Sequence, residues 1–404
     1  MKYGLIVFKN TRNIGDDIQS YAVKRFLPKI DYYIEREELN EFISDNNEQV
    51  KTIISGWFNH SKYSFPPSPF IEPYFISAHF TDELKNKKPI YFTEYFLSYL
   101  KKYEPIGLRD DLVKEYLDQN NISNYFSGCV TLTIEKFNNI NKTDNICLVD
   151  LDYFTTENIK NKFDKVITKT HNVDENYTTL SYEKRFEYVE NLLKTYQSSK
   201  CVITTRLHCA LPCLALGVPV ILVYKGSDKD IYNRLSKYTD FLNYVSDEDF
   251  RDNYENIINN IQPNKNDYQI YSKKITHNIE KFVLSPNENS NELNSKLYEK
   301  YFIKQKKNMI QIFSQKLEDM EAISDERYKL LKENEYELEK VKMINQALKM
   351  ENDLCQANCE KITKDFYLTN SQLYEVINSP TYKFSLKLEP IFKIFKNIKH
   401  WFRR

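Results

Sequence analysis

Short apolar runs alternate with amphipathic stretches over the first three hundred residues. Tyr3–Phe8 reads as a strand, and Ile18, Ala22 and Phe26 mark one face of a helix that Asp16 can cap. Ile30–Asn40 predicts a strand and turn, Val50–Trp57 a strand, and Phe75–Phe80 another. Ser64–His79 carries four prolines, which predict an extended loop before that strand. Glu94–Tyr103 reads as a helix, and Pro105–Asp110 as a strand entering a turn, with a helix to Leu117. Tyr125–Cys129 begins a segment that runs into Thr131–Ile134. Asn138–Asp144 is polar and Asn-rich, as a linker is. The pattern then resets: strands at Ile146–Leu151 and Lys165–Thr170, a helix at Tyr182–Tyr196, and a helix at Asp228–Lys237. Asp252–Lys300 looks helical, with breaks at Pro263-Asn264 and Ser285-Pro286. Strands and helices alternating in this way predict parallel βαβ units. The expected division is an N-terminal domain over residues 1–140 and a second, with trailing helices, over 141–300.

The stretch Cys201–Val223 concentrates these signals. Two short β-branched apolar runs flank a turn that holds Arg206 and His208. Gly217 stands where a helix end wants a left-handed residue, and Pro219 follows as a stop. Arg206 and His208 then lie at a strand's carboxyl end beside a helix N-terminus. Anions bind at such places, drawn by free backbone N–H groups and the helix dipole.

Beyond Tyr301 the chain changes character. Lys304–Asn352 has no glycine or proline, and apolar residues recur at Ile310, Phe313, Leu317, Met320, Leu331, Leu338, Val341 and Leu348. That spacing predicts a long helix over 301–352 able to self-associate as a coiled coil, although Ser324, Asn334 and Asn345 interrupt the seam. Residues 353–404 read as a linker and a basic amphipathic tail. From Lys383 onward seven basic residues face one acidic residue, with Ile391, Ile394, Phe395, Ile398 and Phe402 at helical spacing. A membrane-surface contact through residues 380–404 is the expectation.

Bulk composition narrows the classes. Formal net charge is zero, so no whole-chain field attracts nucleic acid, and no nucleic-acid partner is expected. The seven cysteines are scattered, several in apolar runs, as in a reduced cytoplasmic protein. Cys209 and Cys213 share a helical face near His208, but no second ligand pair accompanies them, so no metal is expected. The start, MKYGLIVFKN, turns polar too soon for a signal peptide, and no run reaches the ~18 apolar residues of a membrane span. The expected location is cytoplasmic, peripheral on the inner face of the membrane.

Five stretches taken together resemble the polysaccharide pyruvyl transferase family. They are NIGDDIQSYA (Asn13–Ala22), SGWF with the later FPP and FISAH (Ser55–His79), PIGLRD (Pro105–Asp110), YFSGCVTLTI (Tyr125–Ile134) and TRLHCALPCLALGVPVI (Thr205–Ile221). The resemblance covers roughly Met1–Ser246. It implies two Rossmann-like domains facing a cleft, similar to GT-B glycosyltransferases. It also implies transfer of the enolpyruvyl unit of phosphoenolpyruvate to two hydroxyls of a sugar, giving a cyclic ketal and phosphate. The acceptor would be a free or lipid-linked saccharide, and no cofactor is called for beyond the donor substrate. On this chain Arg206 and His208 match an Arg-x-His that contacts phosphoenolpyruvate, and Arg109 matches a further arginine on that ligand. Asp16 matches the acidic residue of a Gly-Asp turn, implied in acid–base catalysis. His79 falls where acceptor choice is influenced, and Asp17, the natural competitor of Asp16, is expected on the acceptor side.

The chemistry asks for such residues independently. Two arginine forks can hold a phosphate and a carboxylate that lie close together. A histidine and a carboxylate can share the acid and base roles, in an order the residues leave open. Two other readings compete: a GT-B nucleotide-sugar glycosyltransferase, and a non-catalytic membrane-associated partner protein whose coil and tail are its function.

Overall fold

Two parallel sheets carry the first 246 residues of the chain, each with the strand order of a doubly wound fold. The computed structural model describes residues 1–45, 48–58, 64–80, 92–111, 113–224, 235–286 and 295–369. The first sheet holds β1 (Lys2–Val7), β2 (Tyr32–Glu35), β3 (Val50–Phe58), β4 (Ile71–Phe80), β5 (Ile106–Leu108) and β6 (Asn124–Phe126). Their order is β2-β1-β3-β4-β5-β6. The second holds β7 (Ile146–Val149), β8 (Val166–Lys169), β9 (Cys201–Thr204), β10 (Val220–Tyr224) and β11 (Tyr244–Ser246), in the order β11-β10-β9-β7-β8. All recorded strand pairs are parallel. In each sheet the chain steps outward one way from its first strand, then reverses. The reversal opens a crevice at the strands' carboxyl ends, between β1 and β3 and between β7 and β9. Open α/β sheets bind ligands at such switch points.

The central strands β7, β9 and β10 are largely apolar because both their faces are covered. Leu5 and Val7 of β1 face one buried cluster and Ile6 the other; Cys147 and Val149 of β7 likewise face away from Ile146 and Leu148. The cluster under Leu5 and Val7 is the same one that takes Cys147, Val149 and Val202. The two sheets therefore share one core, with α1 (Ile14–Lys24) packed against α6 (Tyr182–Ser198) and α7 (Leu207–Leu216) between them. The other helices of this region are α2 (Glu94–Lys102), α3 (Lys114–Gln119), α4 (Tyr153–Lys162), α5 (Glu175–Thr178), α8 (Asp247–Asn259) and α9 (Tyr268–Leu284).

Several elements differ from the sequence reading. Val130–Thr133, in the segment that follows Tyr125–Cys129, forms a 3-10 turn buried in the shared core. The helix α9 does not stay with the second sheet. Ile275, Ile279 and Val283 enter the shared core, Phe282 stacks on Tyr74 at 5.1 Å, and Tyr3 Oη donates to the Val283 carbonyl. Lys51, fully buried, donates its ammonium to the Phe282 and Ser285 carbonyls at 2.6 and 2.7 Å. A cation at a helix C-terminus satisfies the orphan carbonyls and the dipole at once.

A single helix, α10, spans Ser295–Thr369. It starts before the expected 301, and its first part belongs to the body: residues 1–317 form one unit and 318–404 another. Tyr301 donates to the Pro66 carbonyl, Thr93 bonds Asn308, and Ile312 fills the outer cluster of the first sheet. In the second unit Met320, Leu331, Leu338, Val341 and Leu348 are exposed on the helix. Most of the expected helix at Asp228–Lys237, and the whole basic tail at 380–404, lie outside the described residues. Among the described residues no helix is long and apolar enough to cross a membrane.

Candidate active site

The two switch points face each other across a cleft of about 550 Å³. Asn13 and Asp16 line it after β1, and Trp57 at the end of β3. Asp150 lines it after β7, and Arg206 and His208 after β9. Each wall is a strand–turn–helix junction, where the sheet presents side chains that its core does not absorb.

On the second wall Arg206 is the N-cap of α7 and has extended backbone. Its Nε donates to Asp150 Oδ2 at 2.7 Å and its Nη2 to Asn172 Oδ1 at 2.9 Å. Nη1 makes no hydrogen bond to the described residues, so the fork is fixed on one edge and available on another. The helix that follows ends at Gly217, which is left-handed at φ +69°, as the sequence expects. The Val218 N–H donates to the Cys213 carbonyl to complete the cap. Cys209 and Cys213 are buried in the core, whereas His208 lines the cleft, so the three do not converge on one ligand. No group of three or more metal-ligating side chains occurs among the described residues.

Asp150 is the residue the sequence reading missed. It looked like the tail of an apolar strand, yet it sits at φ +55°, a conformation few non-glycine residues hold without support. The support is visible: its carboxylate accepts from Thr170 Oγ1, the His171 N–H and Arg206 Nε. Burial works to raise its pKa, but these three donors outweigh it and hold the carboxyl below the ordinary range. A lowered native pKa means that the unfolded chain binds the proton more readily. The stability Asp150 contributes is then full above about pH 4, the ordinary value, and lost as pH falls through the native one. Asp150→Asn should therefore destabilise by about 1–3 kcal/mol at pH 7, the scale of hydrogen bonds to a charged group. Thermal melts at pH 7 and pH 3 check this: the gap between variant and parent must shrink at the lower pH.

His171 was missed as well. It lines the cleft from the second wall, fully buried, with Nε2 2.9 Å from Tyr196 Oη. Its carbonyl accepts from the Ile14 N–H, and the Val173 N–H donates to the Arg12 carbonyl, so residues 171–173 pair antiparallel with 12–14 of the first domain. No local signal in the sequence marks this pairing, which joins segments about 160 residues apart.

On the first wall Asn13, not Asp16, caps α1, its side chain accepting from the Gly15 N–H at 3.0 Å. Asp16 is thereby released from the capping role the sequence suggested. Its carboxylate accepts from Thr11 Oγ1 at 2.7 Å and faces the cleft. Gly15 lets the two walls meet. A Cβ there would lie 3.0 Å from Asn13 Oδ1, 3.1 Å from His208 Cβ and 3.3 Å from His208 Nδ1. Gly15→Ala must shift the histidine and the capping side chain of Asn13 by a few tenths of an ångström. Turnover is expected to fall about 10- to 100-fold, since small misplacements at a reacting centre are costly. The thermal midpoint should change little, and unchanged turnover would detach His208 from the chemistry.

Three expected site residues sit behind the walls. Arg109 is buried; Nη1 donates to Gln19 Oε1 at 2.8 Å, while Nη2 has no partner among the described residues. The guanidinium lies 5.9 Å from the Trp57 ring, and Gln19 also reaches Asp16, so Arg109 connects to the cleft through both. His79 is buried with Nδ1 2.7 Å from Asp110, its ring edge-on to Trp57. Asp17, expected beside the acceptor, is instead fully buried in an ion pair with Arg185 at 2.7 Å and accepts from Tyr177 Oη. The helix explains this: at about 3.6 residues per turn, Asp17 is rotated about 100° from Asp16 and turns from the cleft toward α6.

The fold and the cleft define a two-domain α/β protein with an arginine, a histidine and carboxylates gathered where two switch points meet. The chain belongs to the polysaccharide pyruvyl transferase family, whose sequence profile matches residues 13–227. Among solved structures, a functionally uncharacterised protein from Klebsiella pneumoniae is similar at 12% identity and a TM-score of 0.35, over 60% of this chain and 92% of that one. A search of curated proteins gives no significant match. The family supports a transferase that moves pyruvyl groups in glycan biosynthesis and takes a saccharide acceptor.

Proposed function

We propose that the chain transfers the enolpyruvyl unit of phosphoenolpyruvate to two hydroxyls of one sugar in a cell-surface polysaccharide, forming a cyclic ketal. The observation that carries this reading is Arg206, fixed by Asp150 at the mouth of α7, with His208 beside it and Asp16 on the facing wall. We take the two-sheet cleft as GT-B-like in plan. Arg206 holds the phosphate or carboxylate of the donor, and the unpartnered Nη2 of Arg109 favours an anion nearby. A proton from the acid of the pair adds to the donor's methylene carbon, giving a methyl group and an oxocarbenium centre. One sugar hydroxyl attacks that centre and yields its proton to the base. The second hydroxyl then displaces phosphate, its C–O bond forming as the carbon–phosphate oxygen bond breaks and its proton leaving with the phosphate, whose negative charge Arg206 stabilises. His208 and Asp16 are the acid–base pair.

The test incubates the protein with phosphoenolpyruvate and glycans of the native host, free and lipid-linked. Phosphate release and a sugar product heavier by pyruvic acid less one water are expected. Binding of a UDP- or GDP-sugar without phosphate release from phosphoenolpyruvate would make the protein a glycosyltransferase instead.

A further inference from the structure

The cleft continues into a second hollow of about 390 Å³ on the second domain. The two share Asp152, Thr155 and Arg251, so a ligand lying in one reaches into the other. Phe154, Asn158 and Tyr254 complete the hollow. Phe154 is 79% exposed, and Tyr153, whose ring meets it edge-on at 5.8 Å, is 73% exposed. Two adjoining rings left in water at the start of α4 each forgo about 1.5–3 kcal/mol of burial, so the core does not account for them. Beside them Arg251 lies between Asp247, at 3.1 Å, and Asp152, at 3.7 Å, and is itself half exposed.

An apolar ring face next to a guanidinium fork, an amide and carboxylates matches one ligand chemistry well. A pyranose presents a C–H face that packs on an aromatic ring and vicinal hydroxyls that pair with charged groups. On the first domain, two of the charged side chains near the cleft are committed elsewhere: His79 lies against Asp110, and Asp17 pairs with Arg185. We propose that Asp152, Phe154, Asn158 and Arg251 form the subsite that binds a sugar ring of the acceptor glycan, with Phe154 as its platform. That the sugar is an acceptor rests on the pyruvyl-transfer reading; that the hollow binds a sugar does not.

Two measurements on the full chain test it, with Phe154→Ala and Asn158→Ala as variants. The first is saturation-transfer NMR with the methyl glycosides of galactose, glucose, mannose and N-acetylmannosamine at millimolar concentration. The parent is expected to transfer saturation to at least one glycoside, and Phe154→Ala to lose it. The second is steady-state turnover. Each variant should raise the acceptor KM about tenfold or more while the phosphoenolpyruvate KM stays within about twofold, the mark of lost ground-state binding. The exposed position of Phe154 predicts an unchanged thermal midpoint. No saturation in the parent, or full retention in both variants, overturns the subsite. So does self-association that Phe154→Ala abolishes while glycoside binding persists, which would make the rings a protein contact. Glycoside binding lost in Phe154→Ala, without consumption of phosphoenolpyruvate by the parent, keeps the subsite and removes the transfer reaction.

Discussion

Arg206→Ala is expected to lower phosphoenolpyruvate-dependent phosphate release about 30- to 1,000-fold. That range is the 2–4 kcal/mol lost with one preorganised donor at a developing charge. The side chain is about one-third exposed and its partner Asp150 keeps Thr170 and the His171 N–H. Folding should therefore survive, and circular dichroism with a melt separates lost chemistry from lost structure. Arg206→Lys should recover only part of the rate. An ammonium cannot hold Asp150 and Asn172 along one edge and still offer a second edge to the donor. Near-parental turnover in Arg206→Ala would remove this residue, and with it the proposed donor site.

Arg185→Ala is expected to cost about 3–5 kcal/mol of stability, the usual effect of stranding one member of a buried ion pair. Arg185 reaches across from α6 to α1, with Nη2 on both Asp17 oxygens and on the Phe8 carbonyl. Its loss leaves the Asp17 carboxylate buried without a counter-charge, held only by the Tyr177 hydroxyl. The thermal midpoint should fall on the order of 10 °C. Asp17→Asn combined with Arg185→Met should be clearly more stable than Arg185→Ala, because neither charge is then left alone. A melt of Arg185→Ala within about 2 °C of the parent would show the pair to be incidental.

What the sequence disclosed follows from range. The turn at Arg206, the left-handed Gly217, and the βαβ alternation depend on residues a few positions apart, and the local pattern carries them. Asp17 and Arg185 lie 168 residues apart, and each looks like an ordinary charged position on an amphipathic helix. Only the packing of α1 on α6 makes them a pair. Asp150 was hidden differently: its strained backbone is held by Thr170 and the His171 N–H just after β8 and by Arg206 just before α7, which no spacing rule connects. The cap that the sequence offers at Asp16 is supplied by Asn13, three residues earlier, because asparagine caps a helix as readily as aspartate. The Gly-Asp turn itself was legible, because a glycine in a glycine-poor chain marks a place where backbone must approach something closely.

Lys51 gives the chain a timetable. Its ammonium is buried against carbonyls 231 and 234 residues further on. The first sheet has all six of its strands by Phe126. Those strands leave the ribosome before Phe282 and Ser285 do, so the carbonyls that take the Lys51 ammonium do not yet exist when its strand is made. Until they do, a lysine destined for the interior must remain in water. The interior place of Lys51 is complete only when residues 282–285 have been made and have come back to it.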